Sequence, residues 1–373
     1  MIRKNNIRIM ITGGGTGGHV FPAIAIADAL KTKLGDVEFL FVGARDRLEM
    51  EKIPEAGYRI IGLPVMGFIR KISFRNVKVL LKLLASLRLS GKIIRQFNPD
   101  IVVGVGGYAS GPVLRTAAGK HIPTLIQEQN SYAGITNRIL ARKVNRICVA
   151  YDKMERYFPA GKIVMTGNPV RAEIQLLASM DRKEEALKYF GLDEKRKVIL
   201  ILGGSLGART INHSVMAKLD LLLQEDMQLL WQCGKGYYST LSGYLQTAGV
   251  SGIHLLDFIT RMDLAYAAAD IIISRAGAIT VSELCHVGKP VILVPSPNVA
   301  EDHQTKNALA LVRKNAAVCI SDEEAENKLV PVALDILKNA GRTAELAGNI
   351  RALAVMDSAG KIADEIIGLI KQI

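Results

Sequence analysis

Short apolar runs separated by helix-length amphipathic segments recur along the whole chain: IRIMIT, VEFLFV, IVVGV, TLIQ and RICVA, then KVILIL, LLWQC, GIHLL, DIIIS, PVILVP and AVCI. Runs this short, rich in Ile and Val and bounded by glycine or polar turns, predict buried parallel strands. The segments between them predict the helices of βαβ crossovers. The rhythm restarts near Lys197, where KVILIL enters GGSLGA much as IRIMIT enters GGGTGGH. The expected fold class is therefore α/β, with two tandem Rossmann-like doubly wound domains facing across a cleft. Gly167 and Pro169 in TGNPVR suit the connection, so the first domain is expected over residues 1–165 and the second over 166–350. Residues 351–373 predict a C-terminal helix able to pack on either domain, including back on the first.

Composition agrees with two self-sufficient cores: 373 residues, 49% apolar and 22% charged, leave no room for a long disordered tail. Cys148, Cys233, Cys285 and Cys319 form no Cys-x-x-Cys pair, which argues against a zinc site or a disulfide framework and favours a reducing cytoplasm. The opening MIRKNNIRIMIT runs into a strand instead of a cleavable apolar segment. No run of about 18 uncharged apolar residues predicts a membrane span. Charge changes the picture more. Residues 1–162 carry 26 Lys+Arg against 11 Asp+Glu, whereas 163–373 carry 22 against 24, and residues 56–99 hold nine Lys or Arg and no acid. This asymmetry points to a polyanionic partner for the first domain: an acidic lipid surface, a pyrophosphate or a nucleic acid.

A strand, a glycine turn and a helix in succession aim backbone amides and the positive end of a helix dipole at one point, where a phosphate can sit. Both halves carry this device. Gly13, Gly15 and Gly18 satisfy the G-x-G-x-x-G spacing of nicotinamide-dinucleotide enzymes, but VEFLFV ends in Gly43, Ala44 and Arg45, without the ribose-binding acid. Arg45 would suit a 2′-phosphate. His19, beside the last glycine, has its charged form disfavoured by the helix dipole and is a candidate base, the alternative being a helix-cap histidine bonded to backbone. In the second loop Ser205 could donate to a diphosphate, the alternative being a turn whose glycines serve backbone geometry alone. Two phosphate loops suggest a donor nucleotide and an acceptor that also carries phosphate.

Eight segments, GGGTGGHVFPAIAIA, GVGGYASGP, QEQNSYAGITNRIL, TGNPVR, GGSLGA, DFI, RAGAITVSEL and EDHQTKNA, stand in the order and spacing of one family. By these the chain resembles the MurG family, the bacterial peptidoglycan-precursor N-acetylglucosaminyltransferases of GT-B architecture. The resemblance implies inverting transfer of N-acetylglucosamine from UDP-N-acetylglucosamine to the 4-hydroxyl of undecaprenyl-pyrophosphate-linked muramoyl-pentapeptide. It implies that Thr16, Gly17 and Gly18 lie beside the donor's pyrophosphate and sugar, with Asn130 on the sugar. Arg171 and Ser205 would bind the nucleotide, Ile259 would lie beside uracil, and Ala278, Ile279, Thr280, Val281, Ser282 and Glu283 would line the nucleoside. Glu283 is expected to take the ribose hydroxyls and Gln304 the sugar hydroxyls. Leu206 departs from the Gln of many relatives. Inverting transfer needs a base, for which His19 is the candidate and an Asp or Glu elsewhere the alternative. No Asp-x-Asp occurs, so no metal or other cofactor is expected, the diphosphate being met by loop amides, Ser205 and Arg171. The implied place is the cytoplasmic face of the membrane, peripherally bound, with no nucleic-acid partner.

A docking face is expected between Val65 and Gln96. There Val65, Met66, Phe68, Ile69 and Phe74 precede a helix capped by Ser73, and Lys71, Arg75, Lys78 and Lys82 recur at helical spacing. Val77, Leu80, Leu81, Leu84 and Leu87 form a second stripe, expected to be buried in the first domain's core. Two rival readings remain: a sugar-nucleotide epimerase, which would need no basic apolar face, and a non-catalytic basic adaptor, which would need no nucleotide pocket.

Overall fold

The computed structural model describes residues 7–66, 74–204 and 206–372. They form two compact units, Met1–Val170 with Val355–Ile373, and Arg171–Ala354. In the first unit β1 (Ile7–Thr12), β2 (Val37–Ala44), β3 (Ile60–Leu63), β4 (Ile101–Gly104), β5 (Thr124–Glu128), β6 (Arg146–Val149) and β7 (Ile163–Met165) make one parallel sheet, ordered β3-β2-β1-β4-β5-β6-β7. Both sheet faces are covered, which is why the strands read as unbroken apolar runs. In register, Ile9 lies between Phe39 and Ile101. Ile7, Ile9, Ile11, Phe39, Phe41, Ile101 and Val103 face the Gly17–Leu34 helix through Val20, Ala23, Ile26 and Leu30. The alternate residues Met10, Leu40, Val42 and Val102 face Ile93 and Ile94 of the Phe74–Phe97 helix and Val113 and Leu114 of the Ser110–Gly119 helix. Each aliphatic side chain buried this fully stabilises by about 1.5–3 kcal/mol.

The Ser358–Ile370 helix belongs to this first unit, adding Ile362, Ile366 and Leu369 to the face that holds the Gly17–Leu34 helix. Its Asp357 cap accepts from the Gly360 amide. Residues 166–170 are buried in the same unit. Thr166 and Gly167 both donate to the Val149 carbonyl. At Gly167 (φ +77°) a side chain could not be accommodated, because a Cβ would lie 2.5 Å from Ser358 Oγ and 2.7 Å from Val355 Cβ.

The second unit has β8 (Val198–Leu202), β9 (Gln228–Gln232), β10 (Ile253–Leu256), β11 (Ile271–Ser274), β12 (Val291–Leu293) and β13 (Val318–Cys319), parallel and ordered β10-β9-β8-β11-β12-β13. Strand order reverses at β1/β4 in one unit and at β8/β11 in the other. At such a switch point the loops leaving the carboxyl ends part and open a ligand crevice. This is the two-domain GT-B plan.

The Phe74–Phe97 helix corrects one expectation. Leu80, Leu81 and Leu84 are 51%, 62% and 46% exposed, not core residues. The buried side is Val79, Ser86, Ser90, Ile93 and Ile94, which at helical spacing fall on a different face from Leu80, Leu81 and Leu84. Lys82 Nζ reaches Met66 Sδ at 3.1 Å. Phe68, Ile69, Lys71 and Ser73, and the side chains of Phe74, Arg75, Val77 and Lys78, lie outside the described residues. Among the described residues no helix is long and apolar enough to cross a membrane.

Candidate active site

In the first unit β1 delivers the chain into Gly13–Gly15, and Thr16 in extended backbone (φ −145°, ψ 159°) starts the Gly17–Leu34 helix. The loop interlocks with a second glycine turn after β4. Gly14 N donates to Gly106 O at 3.3 Å, and a Cβ on Gly107 (φ +84°) would come within 2.3 Å of Gly14 O. His19 Nδ1 lies 3.1 Å from Gly14 O and 3.3 Å from Thr16 Oγ1. A carbonyl only accepts, so Nδ1 carries the proton, and in the neutral ring the lone pair is then on Nε2. The backbone-bonded histidine and the histidine with a basic nitrogen are thus one arrangement. Nε2 is 2.8 Å from where a Gly106 Cβ would stand, so a glycine there makes room for the imidazole, while Gln129 Oε1, 3.6 Å from the same point, would be in ordinary contact.

Asn130 follows β5. Its amide N–H donates to Glu128 Oε1 at 3.0 Å, while Glu128 Oε2 accepts from Gly134 N at 3.0 Å and Asn137 Nδ2 at 2.8 Å. Burial pushes the Glu128 carboxyl above its usual range, and these hydrogen bonds pull the other way. Around it runs a chain of buried amides: Gln127 Nε2 donates to Asn168 Oδ1, Asn168 Nδ2 to Gln129 O, and Gln129 Nε2 to Val105 O. The Asn130 turn is therefore tied to the loop facing His19. The motif QEQN supplied the signal, but only Asn130 was singled out from it.

In the second unit Arg171 and Glu283 are direct partners, with Arg171 Nε donating to Glu283 Oε1 at 2.8 Å. Glu283 Oε2 accepts from the Tyr266 hydroxyl at 3.1 Å, and Glu283 is 6% exposed. Burial, with the Glu283 charge beside it, drives the Tyr266 phenol well above its ordinary range, so it stays a donor. Tyr266 was not anticipated, since nothing in ordinary spacing marks a tyrosine 17 residues before its acid.

Glu283 sits on the Ala278–Val287 helix, which follows β11 at the switch point. Ala278 and Val281 on it are buried, whereas Ile279, Thr280 and Ser282 are half-buried; Ser282 Oγ donates back to Ala278 O. Helical geometry leaves the first amides of this helix without intrahelical acceptors. Ile259 is buried at 2%, so a base beside it would meet mainly its backbone. Gln304 Oε1 accepts from Ser296 N at 2.9 Å, which orients the amide. Across the switch point, the glycine turn after β8 packs on the one after β9: a Cβ on Gly207 would lie 2.2 Å from Cys233 O. Gly204 (φ +76°) has open space around it, and Leu206 is 86% exposed, so the residue that departs from the family points outward. Ser205 lies outside the described residues. Asn212 anchors the helix that follows, accepting from Trp231 Nε1 and donating to Cys233 O.

Residues 9–149 match the glycosyltransferase family 28 N-terminal domain and residues 198–361 its C-terminal domain. A Parabacteroides distasonis protein named UDP-N-acetylglucosamine–N-acetylmuramyl-(pentapeptide) pyrophosphoryl-undecaprenol N-acetylglucosamine transferase is 58% identical over 97% of this chain and 98% of its own. The crystal structure of Acinetobacter baumannii MurG superposes with a TM-score of 0.80 at 29% identity, covering 97% of this chain and 99% of that one. A Neisseria meningitidis UDP-GlcNAc 2-epimerase bound to UDP-GlcNAc shares the fold at a TM-score of 0.68, with 13% identity over 97% of this chain and all of that one. Both family domains in order, and a full-length relative at 58% identity, mean that the chain belongs to glycosyltransferase family 28 and, within it, to the MurG family.

Proposed function

We propose that this chain transfers N-acetylglucosamine from UDP-N-acetylglucosamine to the 4-hydroxyl of muramoyl-pentapeptide carried on undecaprenyl pyrophosphate, with inversion at the anomeric carbon. The likeness over essentially the whole chain to a relative named for this transfer carries the reading. The site chemistry supports it. His19 Nε2 takes the acceptor's proton, its ring held by the Gly14 carbonyl, while Thr16, Gly17, Gly18 and Asn130 meet the donor's pyrophosphate and sugar. In the second unit Glu283 accepts the two ribose hydroxyls through lone pairs beyond those used by Arg171 and Tyr266. Arg171 and Ser205 meet the nucleotide; Ala278, Ile279, Thr280, Val281 and Ser282 line it, Ile259 backs the uracil, and Gln304 donates to the sugar. Loop amides and helix N-termini relieve the departing charge of UDP without a divalent ion.

The place of action is the cytoplasmic face of the membrane, with the anionic surface as partner and no nucleic acid. Exposed Leu80, Leu81 and Leu84 beside basic residues of a segment free of acids support this reading. The experiment is transfer of radiolabelled N-acetylglucosamine from UDP to a short-chain lipid acceptor, with donor alone as control. The expected product is the disaccharide lipid. Epimerised sugar from donor alone would instead favour the epimerase reading, and no UDP binding the adaptor.

A further inference from the structure

One acid beneath the first glycine loop has no part in the chemistry above. Glu49, 1% exposed, opens the Glu49–Glu55 helix with its side chain turned back toward the strand ends. Its Oε2 accepts the Gly15 amide at 2.8 Å and its Oε1 accepts the Ala44 amide at 2.8 Å. A Cβ on Gly14 would lie 2.2 Å from this carboxylate, and one on Gly43 2.5 Å from Glu49 Cγ. Two glycines at two strand ends thus leave a slot that the Glu49 side chain fills. Glu49 and His19 also line one small cavity under the loop, with Val20, Ile53 and Ile60.

In a dinucleotide fold the amide that Gly15 presents would meet a ligand phosphate. Here it already has an anion, supplied from within the chain, and a second anion at that point would be repelled. The next carbonyl back, Gly14 O, is the one that orients His19 Nδ1. Resting on the transferase reading above, we propose that Glu49 is a positioning residue. It occupies the anion slot of the first glycine loop, closes that slot to phosphate, and holds the turn that aims His19. The acceptor's diphosphate is consequently met by groups other than the Gly15 amide.

The test uses full-length Glu49→Ala and Glu49→Gln, with titrated UDP binding counting the folded sites. Per UDP-binding site, kcat should fall at least about 10-fold in both, since sub-ångström displacement of a base is costly and the Gln amide turns an N–H toward one of the two donors. The UDP dissociation constant should stay within about twofold, because the nucleoside contacts at Arg171 and Glu283 lie in the other unit. Formate should restore part of the lost kcat in Glu49→Ala by refilling the slot, and pyrophosphate should inhibit that variant at concentrations harmless to the native protein. An unchanged kcat per site overturns the proposal. So does a loss on which formate and pyrophosphate act as they do on the native protein, since that describes general damage. Independently of transfer, the Gly15 and Ala44 amides should exchange hydrogen slowly in the native protein and quickly in Glu49→Ala. Equal exchange refutes the clamp. Absence of transfer by the native protein would instead sink the functional reading and leave the exchange comparison standing. If the Ala variant does not fold, the isosteric Gln variant carries the kinetic and exchange comparisons.

Discussion

Replacing Glu283 by alanine should raise donor KM far more than it lowers kcat. The acid is buried and already accepts from Arg171 Nε and Tyr266 O–H, so its orientation is set before any ligand arrives. A hydrogen bond to a charged group contributes about 1.5–3 kcal/mol, and sharing this carboxylate with Arg171 argues for counting the two diol contacts together at that size. The ribose is unchanged in the transition state, so the loss falls on binding: donor KM should rise about 10- to 150-fold, with kcat within about threefold. The same change strands the buried Tyr266 hydroxyl, which costs about 1–3 kcal/mol of folding stability. Initial-rate kinetics over a wide donor range, paired with UDP calorimetry and chemical denaturation, separates the two effects. Glu283→Gln, which keeps one carbonyl acceptor, should fall between the native protein and Glu283→Ala in both. If donor KM and UDP affinity are unchanged in a folded Glu283→Ala protein, the carboxylate serves only to hold Arg171 and Tyr266, and the diol assignment is wrong.

His19→Ala should fold and bind UDP normally yet lose roughly 100-fold or more in turnover; activity within about threefold of native would move the base elsewhere. Asp263, 4% exposed, is gripped by Arg261 and Arg182, and these partners hold its carboxyl down at about 2. A depressed carboxylate stabilises fully above its unfolded value, so about 2 kcal/mol should vanish as pH falls from about 4 toward 2. In Asp263→Asn that acid-dependent part of the denaturation profile should be missing, and an identical profile would refute the assignment. Changing Lys71, Arg75, Lys78 and Lys82 together to Gln should abolish sedimentation with anionic vesicles at low salt while sparing transfer to a soluble acceptor, since each charge near such a surface contributes about 1 kcal/mol. Continued sedimentation would locate docking elsewhere.

The two sheets were legible because parallel strands covered on both faces must be apolar throughout, as IRIMIT and KVILIL are. The glycine turns were legible because close backbone approach, as of Gly107 to Gly14, tolerates no Cβ. Glu49 escaped notice for a different reason: it lies 34 residues from the amide it accepts and has the look of an ordinary helix-opening acid. Arg171 and Glu283 were each picked out, but their pairing across 112 residues is tertiary information that no local period encodes. The Leu80, Leu81 and Leu84 stripe misled because amphipathicity reports that a helix has an apolar side without saying what covers it.

The return of the Ser358–Ile370 helix has a consequence for synthesis. Emerging in order, residues 171–354 form a contiguous unit that can close on itself, whereas the earlier residues lack Ile362, Ile366 and Leu369 until translation has passed beyond them. The domain that begins first is therefore completed last. Nascent chains halted near residue 354 should carry a protease-resistant later domain behind an earlier one still open along the flank of its Gly17–Leu34 helix.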